Sequence, residues 1–238
     1  MINQHRFYRI WVNSDLVNFT VQDGQTDISI SAERYLKDKA KKLISRYRSD
    51  IMHYIKIKPE FEFSLEPLPL DGDAPAIVGA MLKASFLAGV GPMAAVAGAI
   101  SEFVGRDLLK FTNQIILENG GDIFIKTDEE RRIGIYAGDS PLSGKIAIRI
   151  KPDSTPLGIC TSSGTVGHSL SFGKADAVSV VARNAFLADS CATATGNRVN
   201  TENDIEKALN FVKSIEDVIG AVVIYKDKIG TIGDIELV

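Results

Sequence analysis

The stretch Ile115-Ile116-Leu117-Glu118-Asn119-Gly120-Gly121-Asp122-Ile123-Phe124-Ile125-Lys126 reads as two short strands, Ile115 to Glu118 and Ile123 to Lys126. They fold back through Asn119-Gly120-Gly121-Asp122, and Asn-Gly and Gly-Gly suit the primed turns whose twist matches a hairpin. Two more strands follow at once, Ile133 to Tyr136 and Lys145 to Ile150, with Asp139-Ser140-Pro141 turning between them. Upstream, Tyr8, Ile10 and Val12 alternate with Arg9 and Trp11. Phe19 and Val21, then Ile28 and Ile30, repeat the alternation around the turn Gln22-Asp23-Gly24-Gln25. Strands in runs, rather than in strict alternation with helices, predict an α+β fold with mixed or antiparallel sheets and packed helices. A doubly wound parallel sheet does not fit.

Helical spacing appears between these runs. Tyr35, Leu36, Ala40, Leu43, Ile44 and Tyr47 mark an amphipathic helix from Glu33 to Arg48. Its lysines are read as a solvated face, with an anionic partner as the lesser reading. Phe61 to Leu70, among Pro59, Pro67 and Pro69, reads as extended chain. A helix is expected over Ala74 to Leu87 with Pro75 in its first turn. Gly89-Val90-Gly91-Pro92 breaks it, and a second helix is expected from Met93 to Lys110. Val178 to Val181 reads as a buried strand and Asn184 to Ala194 as a helix. Thr201-Glu202-Asn203-Asp204 is a capping-box start to a helix with Ile205, Ala208, Leu209 and Val212 on one face. A hairpin of Ala221 to Tyr225 and Ile229 to Val238 closes the chain. No linker or repeat interrupts it, so residues 1–238 are expected to form a single unit, with residues 1–70 as a semi-separate layer.

The 238 residues carry a net charge of −3, with 45% hydrophobic and 24% charged residues and a mean hydropathy of +0.06. Disorder, collagen and coiled coil are excluded by these values, and mild acidity gives no reason to expect nucleic acid. Two cysteines, Cys160 and Cys191, make no disulfide framework and are read as buried thiols. The N-terminus lacks the apolar segment of a signal peptide, so a cytoplasmic location is expected. The uncharged run Ala84 to Ser101 contains Gly89, Gly91, Pro92 and Gly98 and is mostly Ala, which suits a buried turn and core helix better than a membrane span. A homo-oligomer is compatible with the sequence.

The 20 glycines cluster with Ala and Ser. The first cluster, Gly89 to Gly98, places Gly91, Met93 and Ala94 at a helix start, where free N–H groups bind phosphate. A helix precedes it rather than a strand, so it is no dinucleotide fingerprint, and tight helix packing explains the spacing as well as a ligand cradle does. The second, Asn119, Gly120 and Gly121, is first of all a turn. The third, Cys160 to Asp176, holds Thr161, Ser162, Ser163, Gly164, Thr165 and His168 and is read as a functional loop. It lacks Gly-x-Ser-x-Gly, and His168 has no identifiable orienting carboxylate. In the fourth, Asp189 and Thr193 stand four apart on one helix face. They form a hard-oxygen pair suited to Mg²⁺, although spacing alone favours a local hydrogen bond or a polar face.

In order and rough spacing, the last three clusters resemble the ApbE-type flavin transferase superfamily. Gly120-Gly121-Asp122 is similar to that family's Gly-Gly-Asp turn, and Thr161-Ser162-Ser163-Gly164 to its Thr-Ser-Gly. Val178-Ser179-Val180-Val181-Ala182 is similar to the following strand, and Ala188-Asp189-x-x-Ala192-Thr193 to its Ala-Asp-x-x-Ala-Thr helix. The longer strings look closest to a subgroup of ApbE-like proteins. The resemblance implies FAD as ligand and Mg²⁺ as metal, with Asp189 and Thr193 as metal ligands and a backbone carbonyl from Ala94 to Ala97 completing the set. It implies splitting of FAD and transfer of FMN to a hydroxyl of an acceptor protein.

The transferases carry a His-Ile-Ile-Asp-Pro segment between Thr-Ser-Gly and the next strand. Only twelve residues separate Gly164 from Ala177 here, and no such segment is among them. His168 is the remaining candidate for the catalytic role. Three functions therefore follow: Mg²⁺-dependent FAD cleavage or flavinyl transfer, a non-catalytic flavin or nucleotide-binding module, and an unrelated metal-dependent hydrolase using the Ser/His-rich loop.

Overall fold

The computed structural model describes residues 15–164 and 172–238. The expected strand at Tyr8 to Val12, and the candidates Thr165 and His168, lie outside the described residues.

Strands β1 (Val17–Asp23) and β2 (Thr26–Ala32) form a hairpin and lead into α1 (Lys37–Ile57), the single turn α2 (Glu60–Phe63) and α3 (Ala76–Ala88). A 3-10 turn, Pro92–Ala95, then opens α4 (Val96–Leu108). The strands β3 (Ile115–Asn119), β4 (Asp122–Lys126), β5 (Arg131–Gly134), β6 (Ala147–Ile150), β7 (Leu157–Ser162) and β8 (Ala177–Ala182) follow. Helices α5 (Ala185–Gly196) and α6 (Ile205–Lys213) precede β9 (Val218–Tyr225), β10 (Lys228–Gly233) and β11 (Glu236–Leu237).

Among the described residues, eight strands make one sheet in the order β1-β2-β3-β4-β7-β8-β9-β10, with every neighbouring pair antiparallel. A second sheet has the order β11-β6-β5. The expected α+β class with antiparallel sheets is what the chain adopts. Because side chains alternate across a strand, the large sheet feeds two cores. Leu117, Phe124, Cys160, Val178, Val180 and Ala182 pack under the helices. Ile116, Ile125, Leu157, Ile159 and Val181 pack on the other face, with Ile148 and Ile150 of the small sheet. The layers are therefore helices, large sheet, small sheet.

Several local expectations are corrected. The first helix begins at Lys37 and runs nine residues past Arg48, because Ile51, Tyr54 and Ile55 continue its buried stripe. Phe61 does not lie in extended chain. It is fully buried in α2, edge-on to Tyr54 with ring centroids 5.1 Å apart. The loop expected over Cys160 to Asp176 begins later than expected, since Cys160, Thr161 and Ser162 are the end of β7, paired to β8. The closing hairpin forms, but its last residues leave it: β11 pairs with β6 in the small sheet. Both cysteines are buried free thiols.

Among the described residues no single helix is long and apolar enough to cross a membrane; α3 and the segment Pro92–Leu108 meet at 107°. At the expected capping box, the Thr201 side chain accepts from the Asp204 backbone N–H and the Asp204 carboxylate accepts from the Thr201 N–H at 2.8 Å. Thr201→Ala should cost about 1 kcal/mol, read as a small fall in melting temperature.

Candidate functional site

The 3-10 turn and α4 meet the start of α5 over the centre of the large sheet. Ala95, the residue capping α4, has no side-chain acceptor to offer. The first-turn N–H groups of α4 are met from elsewhere: Gly98 N–H donates to Asp189 Oδ2 at 2.9 Å, across 91 positions of sequence. The carboxylate at a positive helix end is favourably placed. Gly98 permits the approach, because a Cβ there would lie 2.3 Å from the Ala185 carbonyl oxygen and 2.9 Å from Asp189 Cβ. Asn119 Nδ2 donates to the Ala97 carbonyl at 3.3 Å, and Ser101 Oγ to the Asp122 carbonyl at 3.1 Å, tying α4 to the β3–β4 turn.

Asp122 stands opposite Cys160 in the sheet register and shares the helix-facing side with Phe124. Burial, and next the charge of Glu118, push its carboxyl up to about 7. Burial and then the charge of Asp122 push Asp189 well above the usual carboxylate range, against the opposing pull of the Gly98 and Ala97 N–H groups. The charge of Asp122 thus raises Asp189. The Cys160 thiol, pushed far up by burial and by both carboxylates, stays protonated and donates to the Ala185 carbonyl at 3.3 Å. Beneath, buried Glu102 accepts from the first N–H of α5, on Ala185, and from Arg106 Nε at 2.7 Å.

The turn between β3 and β4 is open. Gly120 (φ +72°) and Gly121 (φ +106°) occupy backbone conformations that side chains resist, and a Cβ on Gly120 would meet nothing within 4 Å. Glu118 Oε1 accepts from Gly121 N–H at 2.8 Å, which fixes the turn from the other face. Gly120→Ala should cost about 1 kcal/mol through its φ alone and leave the fold intact, a loss readable by thermal melting.

Of the residues singled out from sequence, Asp189 and Asn119 come directly against α4, Gly91, Met93 and Ala94 form its 3-10 entry, and Gly120 and Gly121 form the neighbouring turn. Thr193 lies one turn beyond Asp189 on α5. Ser162 alternates onto the helix-facing side with Cys160. Thr161 points the other way and hydrogen-bonds Ser179 at 2.7 Å between hydroxyls. Gly164 N–H donates to the Ala175 carbonyl, and the position of its missing Cβ is 2.2 Å from the Gly173 carbonyl, which brings the two ends of the segment between them together. Sequence reasoning missed Asp122, Gly98 and Cys160 as parts of this constellation. For Asp122 a signal existed: it falls in phase with Phe124, on the core-facing side of a strand.

This architecture is that of ApbE proteins. It matches the apo form of the flavinyl transferase ApbE of Pseudomonas stutzeri with a TM-score of 0.57 at 14% identity, covering 92% of this chain and 94% of that one. An ApbE protein of Thermotoga maritima gives 0.55 at 13% identity, over 90% and 96%. At these identities the likeness is one of fold. The sequence matches the family described as AbpE bacteria over residues 9–237, and the chain belongs to that family. Two similar relatives are UPF0280 proteins, of Methanococcus aeolicus (43% identical, 91% of this chain and 89% of that one) and of Methanocella arvoryzae (41%, 89% and 86%).

Proposed function

We propose that the protein binds FAD or a closely related nucleotide together with a divalent cation, Mg²⁺ in the first instance, and transfers FMN from it to a hydroxyl. The observation that supports this most is the pair Asp122 and Asp189, two half-buried carboxylates both pushed up, with the charge of Asp122 raising Asp189, which meets the N-terminus of α4 beside an open glycine turn. Such a pair repels a pyrophosphate, and a cation between them relieves both repulsions.

The donor set fits a hard cation. Asp189 offers a carboxylate, Thr193 a hydroxyl and Ala97 a backbone carbonyl, and Mg²⁺ commonly completes its shell with water and phosphate oxygens. Among the described residues no three His, Cys, Asp or Glu side chains converge as a ligand set, and water or phosphate oxygens would supply the rest. Bound there, the cation would neutralise charge on the leaving phosphate. The chain's own part is positional. The N–H groups of Ala97 and Gly98 hold the Asp189 carboxylate, Asn119 holds the Ala97 carbonyl, and the Gly120–Gly121 turn lets backbone approach the nucleotide. In the transfer, the acceptor hydroxyl oxygen bonds to the FMN phosphorus, AMP departs with the bond electrons, and the hydroxyl proton is released. Without an acceptor, water takes that place and gives FMN and AMP.

The test is to incubate purified protein with FAD, with and without Mg²⁺, and to separate the products. Mg²⁺-dependent FMN and AMP are expected, with loss of at least about 100-fold in Asp189→Asn, which keeps a hydrogen-bond acceptor but not the charge. FAD left intact but retained on the protein would reduce the reading to a binding module. FAD neither retained nor split would end it.

A further inference from the structure

Between Glu60 and Asp73 the chain has five acidic residues and no basic one. The same segment exposes large apolar side chains, with Phe63 73%, Leu65 57% and Leu70 63% accessible. The end of α3 adds Phe86 (61%) and Leu87 (41%), two residues before the Gly89–Pro92 turn. The segment comes against that turn at Ser64 and Leu65: a Cβ on Gly91 would lie 1.8 Å from the Ser64 carbonyl and 3.0 Å from Leu65 Cα.

The segment is held in place. Asp71 accepts from Tyr54 at 2.8 Å and Lys58 at 2.7 Å, Ser64 Oγ bonds the Glu66 carbonyl at 2.7 Å, and Pro67 and Pro69 restrict the backbone. An exposed loop kept rigid while showing Phe and Leu is poised for binding, since little entropy remains to be lost. Among the described residues Asp71 alone of the five acids has a basic partner, which leaves Glu60, Glu62, Glu66 and Asp73 as a negative collar. Lys83 stands one turn before Phe86 and Leu87 on α3. Gly91 opens the 3-10 turn that leads into α4, so this surface adjoins the nucleotide site.

We propose that the apolar surface of Phe63, Leu65, Leu70, Phe86 and Leu87, with its acidic collar, docks a polypeptide that presents aromatic or aliphatic residues flanked by Lys or Arg. Resting on the transfer reading above, that polypeptide is the acceptor whose hydroxyl is delivered to the site. The collar disfavours an anionic lipid surface, and it disfavours self-association through the same patch, since like charges would face each other.

The experiment selects a random peptide library displayed on phage against the protein with FAD and Mg²⁺, then measures each enriched peptide on variants. Basic peptides with apolar anchors are expected, losing about tenfold in affinity on Phe63→Ser with Leu65→Ser, and on Glu62→Lys with Glu66→Lys. These side chains are exposed, so melting temperatures should be unchanged. No enriched class, enrichment of acidic or uncharged peptides, or equal binding to all variants overturns the proposal. So does loss, in the Phe63→Ser variant, of co-sedimentation with phosphatidylcholine vesicles, which assigns the patch to lipid. A smaller mass in sedimentation velocity for that variant assigns it to a second copy and overturns it likewise. FAD retention is read separately in every variant. Its failure in the unaltered protein sinks the transfer reading, whereas the peptide result judges the docking surface.

Discussion

Gly98→Ala is expected to destabilise the protein by about 3 kcal/mol, at the upper end for an added methyl group in a packed core, and to abolish the proposed cation and nucleotide binding together. The Cβ would strike backbone: the Ala185 oxygen at 2.3 Å and its carbonyl carbon at 2.7 Å. Ala185 has no room to retreat. Its N–H is held by Glu102 and its carbonyl by the Cys160 thiol. On the strand side, the place of a Cβ on Gly158 lies 2.2 Å from Ala185 Cα. Helix α5 is thus clasped between α4 and β7, and strain at one contact passes to the other. Spreading α4 from α5 also breaks the Gly98 N–H bond to Asp189, so the fold and the site fail at one atom. At roughly 2–4 °C per kcal/mol for a chain of this size, melting should fall by about 6–12 °C. A fall below about 2 °C would mean that the helices separate freely. Gly89→Ala is the control, since a Cβ there meets nothing within 4 Å and only its φ of +71° resists.

This contact also marks where sequence reading ends. Periodicity finds the β3–β4 hairpin, the capping box at Thr201 and the α5 start, because each depends on neighbours within a few positions. Asp189 and Thr193 stand out through their spacing and through family resemblance. Asp189 is harder to interpret: on local grounds it looks like part of a polar helix face, whereas its partner is the N–H of a residue 91 positions away. Gly98 weakens the prediction of a helix for the same reason, since propensity counts its cost and not the backbone that it admits. The stretch from Cys160 reads as loop because its Ser and Thr residues favour turns. Pairing with β8, and at Cys160 with β4 as well, overrides that preference for its first three residues. Alternation then sends Thr161 to the opposite face from Cys160, which no motif comparison reveals. Phe61 is misread for a similar reason: the prolines around it signal extension, but the Tyr54 ring provides a buried slot.

The stability of the cation-free protein should fall as pH rises from about 4 to 7, the reverse of the usual acid limb. The sign follows from the two carboxylates. An unfolded Asp titrates near 3.8, whereas folded Asp122 titrates at about 7 and Asp189 is raised as well. Between those limits the folded state holds more protons than the unfolded state, so each step upward in pH favours unfolding. The effect is about 1.4 kcal/mol for each unit of separation and ends once both carboxylates are ionised. Carboxylates pulled the other way, among them Asp71 at about 2 with its Lys58 and Tyr54 partners, lose their contribution only as pH falls below the unfolded range. The two regimes therefore separate, with a stability maximum near pH 4–5 in the absence of cation. A divalent cation competes with protons for the same oxygens, so Mg²⁺ should raise the melting temperature more at pH 8 than at pH 5. Asp122→Asn should flatten the slope and raise stability at pH 8. Thermal melts across pH 4–8, with and without Mg²⁺, read all three effects. A melting temperature that climbs steadily to pH 8 without cation, or Mg²⁺ stabilisation no larger at pH 8 than at pH 5, would show that the two carboxylates do not confront each other across this site.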